Sequence, residues 1–159
     1  MRAKYCAVAV ILLLATAMAS ATDPFVGRWV LNPGLSKYPS GTCPKRMVIE
    51  MEGVDGGVRY RSDATYANGA TAHSEYMAGY NGKQTLVMGN RGMLLPVSLK
   101  RPNSHLVLAS YTRGLQVVAT SRRVVSKDGR RMTITTVAKG KTGTGIKSVG
   151  VYEKQSERR

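Results

Sequence analysis

The sequence is poor in cysteine and in large aromatic residues, with two Cys, one Trp and one Phe. Cys6 lies in an N-terminal apolar segment, so Cys43 has no partner for an internal disulfide in the rest of the chain. Its neighbours in Thr42-Cys43-Pro44 include no base that could activate a catalytic thiol. The fold must therefore be held by its core, and Cys43 is interpreted as a passive thiol in a loop.

Histidine and acidic residues are also scarce, with two His and nine Asp plus Glu. His73 falls on the polar side of a predicted strand, and His105 falls beside a predicted hairpin turn. The sequence contains no paired carboxylates, metal-spaced cluster, nucleophile elbow or phosphate loop. These absences argue against an enzyme, and the sequence predicts neither a metal nor a cofactor.

Positive charge dominates, with 24 Lys plus Arg and a formal net charge of +15. Such a balance attracts anionic partners, whether head groups, envelope polysaccharide, nucleic acid or acidic small molecules. The charges are scattered along the chain, which is typical of a solvated basic surface. Without a nucleic-acid motif, the sequence predicts no specific nucleic-acid partner.

The N terminus has the pattern of a secretory signal peptide. Positive charge precedes an apolar run over residues 7–14, and Ala17-x-Ala19 or Ala19-x-Ala21 offers a small-residue cleavage site. This apolar run is too short to span a membrane, and no later stretch approaches the roughly 20 residues that a spanning helix needs. We therefore expect a signal peptide helix over 1–21, a single domain over 22–159, and a periplasmic or secreted protein without a transmembrane segment after processing.

The remaining chain alternates between apolar and polar residues in a way that predicts strands. Met47, Ile49 and Met51 share one face of a strand, and the Asp-Gly pair at 128–129 is a strong hairpin signal. A proline-rich loop over 32–44 joins the first two strands. About ten such strands, connected by tight turns, predict an all-β protein. The predicted fold is a single antiparallel up-and-down β-barrel of about 8 to 10 strands, whose first strand meets its last.

The only Phe and the only Trp occur together in the pattern Phe25-x-Gly27-x-Trp29. Alternation sends all three to one face of the first strand. At the start of an all-β chain this pattern favours a barrel floor, where glycine lets another strand cross and the indole plugs the bottom. The simpler alternative is an aromatic pair in an ordinary core. Both interpretations make the segment structural.

Two predicted strands have an inward face of tyrosines and small residues instead of branched aliphatics. The inward residues are Val58, Tyr60, Ser62, Ala64 and Tyr66, followed by Ala72, Ser74, Tyr76, Ala78 and Tyr80. Tyrosines mixed with serine and alanine suit a cavity with polar groups pointing inward. The alternative is that the rings are buried and their hydroxyl groups reach solvent.

The sequence resembles the calycin group, which contains the lipocalins and the fatty-acid-binding proteins, and in particular small exported lipocalin-like proteins of bacteria. The resemblance rests on Gly27-x-Trp29, on the lead-in over 23–27, and on the segments over 122–129 and 151–154. It implies a barrel in which a late-strand arginine either packs across the tryptophan or holds a ligand carboxylate with inward tyrosines.

Arg122 or Arg123 is the arginine to which this resemblance points, and alternation turns one of them inward. The sequence offers no helix-turn-helix lid between the first two strands. We expect a non-enzymatic exported protein that holds a small hydrophobic or amphipathic ligand, with an anionic end as one option. The candidate ligand-binding residues are Tyr60, Tyr76, Tyr80, Met47, Met51, Arg122 and Arg123. The alternative is a lumen filled by its own side chains.

A second hypothesis uses the outer surface of the protein. Arg59 and Arg61 lie on the polar face of one predicted strand, and we expect Arg130 and Arg131 to act with them. Together they would make the protein an envelope-associated module that binds anionic polymer or lipid head groups. Salt separates the two hypotheses, because surface attraction weakens with ionic strength more than binding inside a barrel does.

Overall fold

The computed structural model of the chain describes residues 22–140 and 143–156. The signal peptide predicted over 1–21 lies outside the described residues. Among the described residues, no helix has the length and apolar character needed to cross a membrane.

The described residues form one antiparallel sheet of eleven strands. The strands are β1 (Gly27–Leu31), β2 (Arg46–Val54), β3 (Gly57–Thr65), β4 (Thr71–Gly79), β5 (Asn81–Thr85), β6 (Met88–Gly89), β7 (Val97–Asn103), β8 (Leu106–Arg113), β9 (Gln116–Val125), β10 (Arg131–Lys139) and β11 (Gly145–Lys154). Their spatial order is β5-β7-β8-β9-β10-β11-β1-β2-β3-β4-β6. The predicted all-β, up-and-down antiparallel fold is confirmed.

The first strand pairs with the last, as predicted. Trp29 of β1 is opposite Lys154 of β11 on one side and opposite Ile49 of β2 on the other. This pairing joins the two ends of the meander and curls the sheet into a barrel. The edges of the sheet are then two short strands, β5 and β6.

Between the glycine-containing segments at 81–83 and 89–92, turn signals alone predict one short strand over 84–88, and this prediction is wrong. Thr85 ends β5 opposite Val97 of β7, whereas Met88 pairs with Glu75 of β4. The chain therefore crosses from one edge of the sheet to the other between these two positions. Gly89 allows β6 to pair closely with β4, because a Cβ there would collide with the backbone oxygen of His73.

The connection between β1 and β2 contains no α-helix, as its prolines predicted. One 3-10 turn covers Pro33–Leu35, and the side chain of Asn32 accepts a hydrogen bond from the Leu35 amide at 3.3 Å. Further along, Lys37 bridges to Val149 of β11. The connection is thus tied to the barrel wall, and it contributes Tyr38, Thr42 and Pro44 to the lining of the interior at that end.

The opposite end of the barrel is closed by the aromatic segment. Phe25 and Trp29 are fully buried, and the indole Nε1 donates a hydrogen bond to the Phe25 carbonyl at 2.9 Å. Gly27 has a φ of +128°, and a Cβ there would lie 2.8 Å from Cε of Lys154. The Lys154 ammonium lies 5.0 Å from the indole centre and donates to the Pro24 carbonyl at 3.1 Å. It is this lysine, and not an arginine, that covers Trp29.

Candidate functional site

The barrel encloses a cavity of about 280 Å³ between the closed end and the loops of the other end. Six tyrosines line it, namely Tyr38, Tyr60, Tyr66, Tyr76, Tyr111 and Tyr152. Six small hydroxyl side chains line it as well, namely Thr42, Ser62, Ser74, Ser121, Thr136 and Ser148. The interior wall is therefore rich in hydroxyl groups.

Among the residues that the structure describes, Arg123 is the one cavity-lining cation that is buried, with 3% of its surface exposed. It donates a hydrogen bond from Nη1 to the Tyr76 hydroxyl at 2.7 Å and another from Nη2 to the Tyr111 hydroxyl at 3.1 Å. Its guanidinium carbon lies 4.8 Å from the centre of the Tyr60 ring. The Tyr60 and Tyr76 rings stack on each other at 4.8 Å. Three tyrosines thus form a cradle for one buried charge.

Strand register explains how these residues meet. Tyr60 of β3 and Tyr76 of β4 are directly opposite each other, which brings their rings together on the inward face. Arg123 lies on β9 between Val107 of β8 and Ile134 of β10. Alternation along β9 turns Arg123 inward, and its long side chain crosses the interior to reach the tyrosines.

No carboxylate lies within 4.0 Å of the Arg123 guanidinium in the part of the chain that the structure describes. Its Nε is buried and has no hydrogen-bond partner. Burial alone would lower the pKa of Arg123, but interactions with the Tyr76, Tyr111 and Tyr60 hydroxyls outweigh it and raise the pKa. The side chain is therefore a cation without a counter-ion, and burying such a charge is costly.

Tyr60 and Tyr76, which lie beside Arg123, keep their protons. Burial raises the pKa of Tyr60 to about 12, although the nearby charge of Arg123 opposes this shift. Burial likewise raises the pKa of Tyr76. Because the Tyr76 and Tyr111 hydroxyls accept from Arg123, their own hydrogens remain available to donate to an anion in the cavity.

These raised pKa values predict a loss of stability at high pH. Between the ordinary tyrosine pKa of 10.0 and about 12, Tyr60 is ionised in the unfolded chain but protonated in the folded one. Tyr60 alone should lower the free energy of unfolding by about 1.4 kcal/mol per pH unit over this window and leave it unaffected below it. Urea denaturation followed from pH 8 to 12 measures this slope. Tyr60→Phe should remove the contribution of Tyr60 to the slope. An identical slope in the variant would contradict the prediction.

Two hydroxyl pairs face each other across the cavity. Ser62 and Ser74 hydrogen-bond at 2.8 Å on the β3–β4 wall. On the β9–β10 wall, Thr136 donates to Ser121 at 3.3 Å. Each pair uses part of its hydrogen-bonding capacity internally, and the remainder is available to polar groups of a ligand.

Four of the predicted ligand-binding residues lie on the cavity wall. They are Met47, Tyr60, Tyr76 and Arg123. The sequence could not decide which of the two adjacent arginines turns inward, and the structure places Arg123 inside and Arg122 on the exposed outer face.

Met51, Tyr80 and Arg122 are not on the cavity wall. Met51 is opposite Gly27 and is buried near the floor, below the cavity. Tyr80 follows the end of β4, where its ring lies 5.1 Å from the guanidinium of Arg101. That arginine also holds Asp23 through two hydrogen bonds of 2.6 and 2.8 Å, so Tyr80 belongs to a cluster at the closed end.

Sequence reasoning missed several residues of the cavity. Tyr111 continues the inward series of Val107 and Ala109 on β8, so the same alternation could have located it. Arg91 and Met93 come from the segment over 86–96, which passes over the cavity end without regular periodicity. No sequence signal identified this segment as part of the cavity wall.

The structure does not bring together the four arginines of the second hypothesis. Arg59 pairs with Glu52 at 3.6 Å and Arg61 with Asp63 at 3.2 Å, so the face on which they lie has mixed charge. Residues 130 and 131 are at the start of β10, which β11, β1 and β2 separate from β3. At about 4.8 Å per strand, the two strands are about 19 Å apart along the curved sheet.

The comparisons with known proteins bear on the fold. No protein-family model and no curated protein matches the sequence. Among solved structures, the chain is similar to zebrafish ileal bile acid-binding protein in complex with cholic acid, with a TM-score of 0.52 over 83% of this chain and 99% of that chain. The chain has a calycin-like fold. This calycin-like barrel shares the architecture of the zebrafish protein. Because only 13% of the residues are identical, the comparison assigns no site residue to this chain.

Proposed function

We propose that this calycin-like barrel is an exported, non-enzymatic protein that holds a small hydrophobic or amphipathic ligand with an anionic end. The observation that supports this most is the buried guanidinium of Arg123, which faces a cavity without a counter-ion. An anionic ligand would supply the missing partner and recover part of the cost of burying the charge. The zebrafish bile acid-binding protein, which has a similar fold, was solved with cholic acid.

The tyrosine cradle supplies the geometry for holding such an anion. A carboxylate oxygen beside Arg123 could accept from Nε, which has no partner, and from the free hydroxyl hydrogens of Tyr76 and Tyr111. Hydrogen bonds to a charged group in a dry site are stronger than neutral ones. The rings of Tyr60 and Tyr76 would lie beside the part of the ligand next to its anionic end.

The cavity also limits the size of the ligand. Its volume of about 280 Å³ lies just below the roughly 300 to 1,000 Å³ of pockets that hold drug-sized molecules. Met47, Met93 and Ile134 supply apolar wall, and the two hydroxyl pairs supply polar contacts on opposite sides. A short- to medium-chain carboxylate or an aromatic one fits this description better than a long-chain lipid.

The test is native mass spectrometry of the protein purified from its own host, followed by organic extraction of anything bound. We expect one small organic anion per chain, retained at high salt because the site is inside the barrel. A protein without bound ligand that also fails to retain added short-chain and aromatic carboxylates would overturn the proposal.

A further inference from the structure

Exposed aliphatic side chains are concentrated at one end of the barrel. The structure gives ten large hydrophobic residues as exposed. Eight of them lie at the end where the cavity opens, namely Leu35, Leu86, Met88, Leu94, Leu115, Val117, Val137 and Ile146. This clustering differs from the scattered single exposures that are normal on protein surfaces.

The most exposed of these residues is at the tip of a turn. Leu115 follows Gly114 between β8 and β9 and is completely exposed to solvent. Turn positions of this kind favour polar residues, and a leucine there gains nothing from the folded monomer. Its position therefore indicates that Leu115 contacts an apolar partner outside the chain.

Three loops of this end form one continuous surface. The segment over 92–95, the β8–β9 turn and the β10–β11 loop line a shared depression that includes Leu94, Arg113 and Lys139. Val117 and Ile146 adjoin it on β9 and β11. We call these five residues and Leu115 the mouth surface.

The charge of the mouth surface has one sign. Arg113 and Lys139 are exposed, as are the adjacent Arg91 and Lys147. None of the four makes an ion pair with a described carboxylate. The sequence contains no Asp or Glu over 76–127 or over 129–152, which include all three loops. On the outer face of β3, by contrast, acidic residues offset the basic ones, as they do for Arg59 and Arg61.

We propose that the mouth surface docks on an anionic lipid bilayer. Exposed leucine, valine and isoleucine side chains can enter the boundary between head groups and acyl chains, while lysine and arginine interact with anionic head groups. A polyanion such as a polysaccharide would account for the exposed arginines and lysines of the mouth surface, but not for its exposed aliphatic side chains. In this orientation the cavity opens toward the membrane. The docking does not depend on which ligand the cavity holds, so its test is independent of the proposed function.

The test is co-sedimentation with vesicles of phosphatidylcholine, with and without about one-third phosphatidylglycerol. The protein should begin at Thr22, because it then contains every described strand and lacks the apolar run over 7–14. We expect binding to the anionic vesicles only, weakened by salt. Arg113→Gln and Lys139→Gln should each lower the partition coefficient about fivefold. Leu115→Ser should lower it about tenfold, because a leucine buried in the interface contributes roughly that much.

Matched controls are available elsewhere on the outer wall. Leu108→Ser and Arg59→Gln change exposed residues of the same types away from the mouth surface and should leave binding unchanged. Binding that is absent, that is equally strong without phosphatidylglycerol, or that falls equally in the controls would overturn the proposal. Self-association through the mouth surface without vesicle binding, seen in analytical ultracentrifugation, would also overturn it in favour of a second copy of the chain.

Discussion

Arg123→Met is expected to weaken the binding of a small carboxylate by on the order of a hundredfold while leaving the free protein at least as stable. Losing one partner of a buried, hydrogen-bonded charge pair costs roughly 2 to 5 kcal/mol of binding free energy. In the free protein, the same change removes a buried cation that has no counter-ion, and such replacements are often neutral or stabilising. Binding and stability should therefore change independently.

Calorimetric titration with decanoate and with decanol separates the charge from the apolar chain. The wild-type protein should prefer decanoate, and Arg123→Met should bind both molecules weakly and about equally. Arg122→Met is the matched control, because it removes an adjacent, outward-facing arginine. An unchanged preference for decanoate in the Arg123 variant, or an equal loss in the Arg122 variant, would contradict the role assigned to Arg123.

Trp29→Ala is expected to lower the free energy of unfolding by about 3 to 5 kcal/mol, which is the usual cost of truncating a buried tryptophan. The side chain has no exposed surface. Its removal would leave a hole at the closed end, deprive the Phe25 carbonyl of its donor and expose the Lys154 ammonium to an empty space. A loss of this size is a large fraction of the stability of a typical domain.

Urea denaturation followed by far-ultraviolet circular dichroism measures this loss, since the variant has no tryptophan left for fluorescence. Trp29→Phe serves as the control, because it keeps a ring and loses only the Nε1 donor and some volume. We expect it to cost about 1 to 2 kcal/mol. A Trp29→Ala variant less than about 1 kcal/mol below the wild type would show that the indole does not close the barrel.

Alternation in the sequence was sufficient to predict most of the fold. Strands such as β3 and β4 have one inward and one solvated face, so a two-residue period sets both their extent and their orientation. The same reasoning placed Tyr60 and Tyr76 on one interior surface. It could not find β5 and β6 as separate strands, because neither pairs with the strand next to it in the chain and nothing local marks the crossing between them.

The candidate site was harder to predict because it depends on distances across the barrel. Alternation showed that one of Arg122 and Arg123 faces inward, but the phase of β9 relative to the core was needed to choose between them. The meeting of Arg123 with Tyr76 and Tyr111 joins three strands, and no sequence spacing encodes that contact. Likewise, the covering of Trp29 by Lys154 depends on the register of the first and last strands.

The pairing of the first strand with the last has a consequence for how the chain folds. Arg28 and Gln155 are hydrogen-bonded although 127 residues separate them along the chain. Contacts this distant slow folding, and domains dominated by them fold in milliseconds to seconds. A growing chain cannot complete the barrel until β11 has been synthesised, and until then β1 and its buried tryptophan lack one neighbour. We therefore expect truncations that remove β11 to leave an open, aggregation-prone sheet and not a smaller barrel.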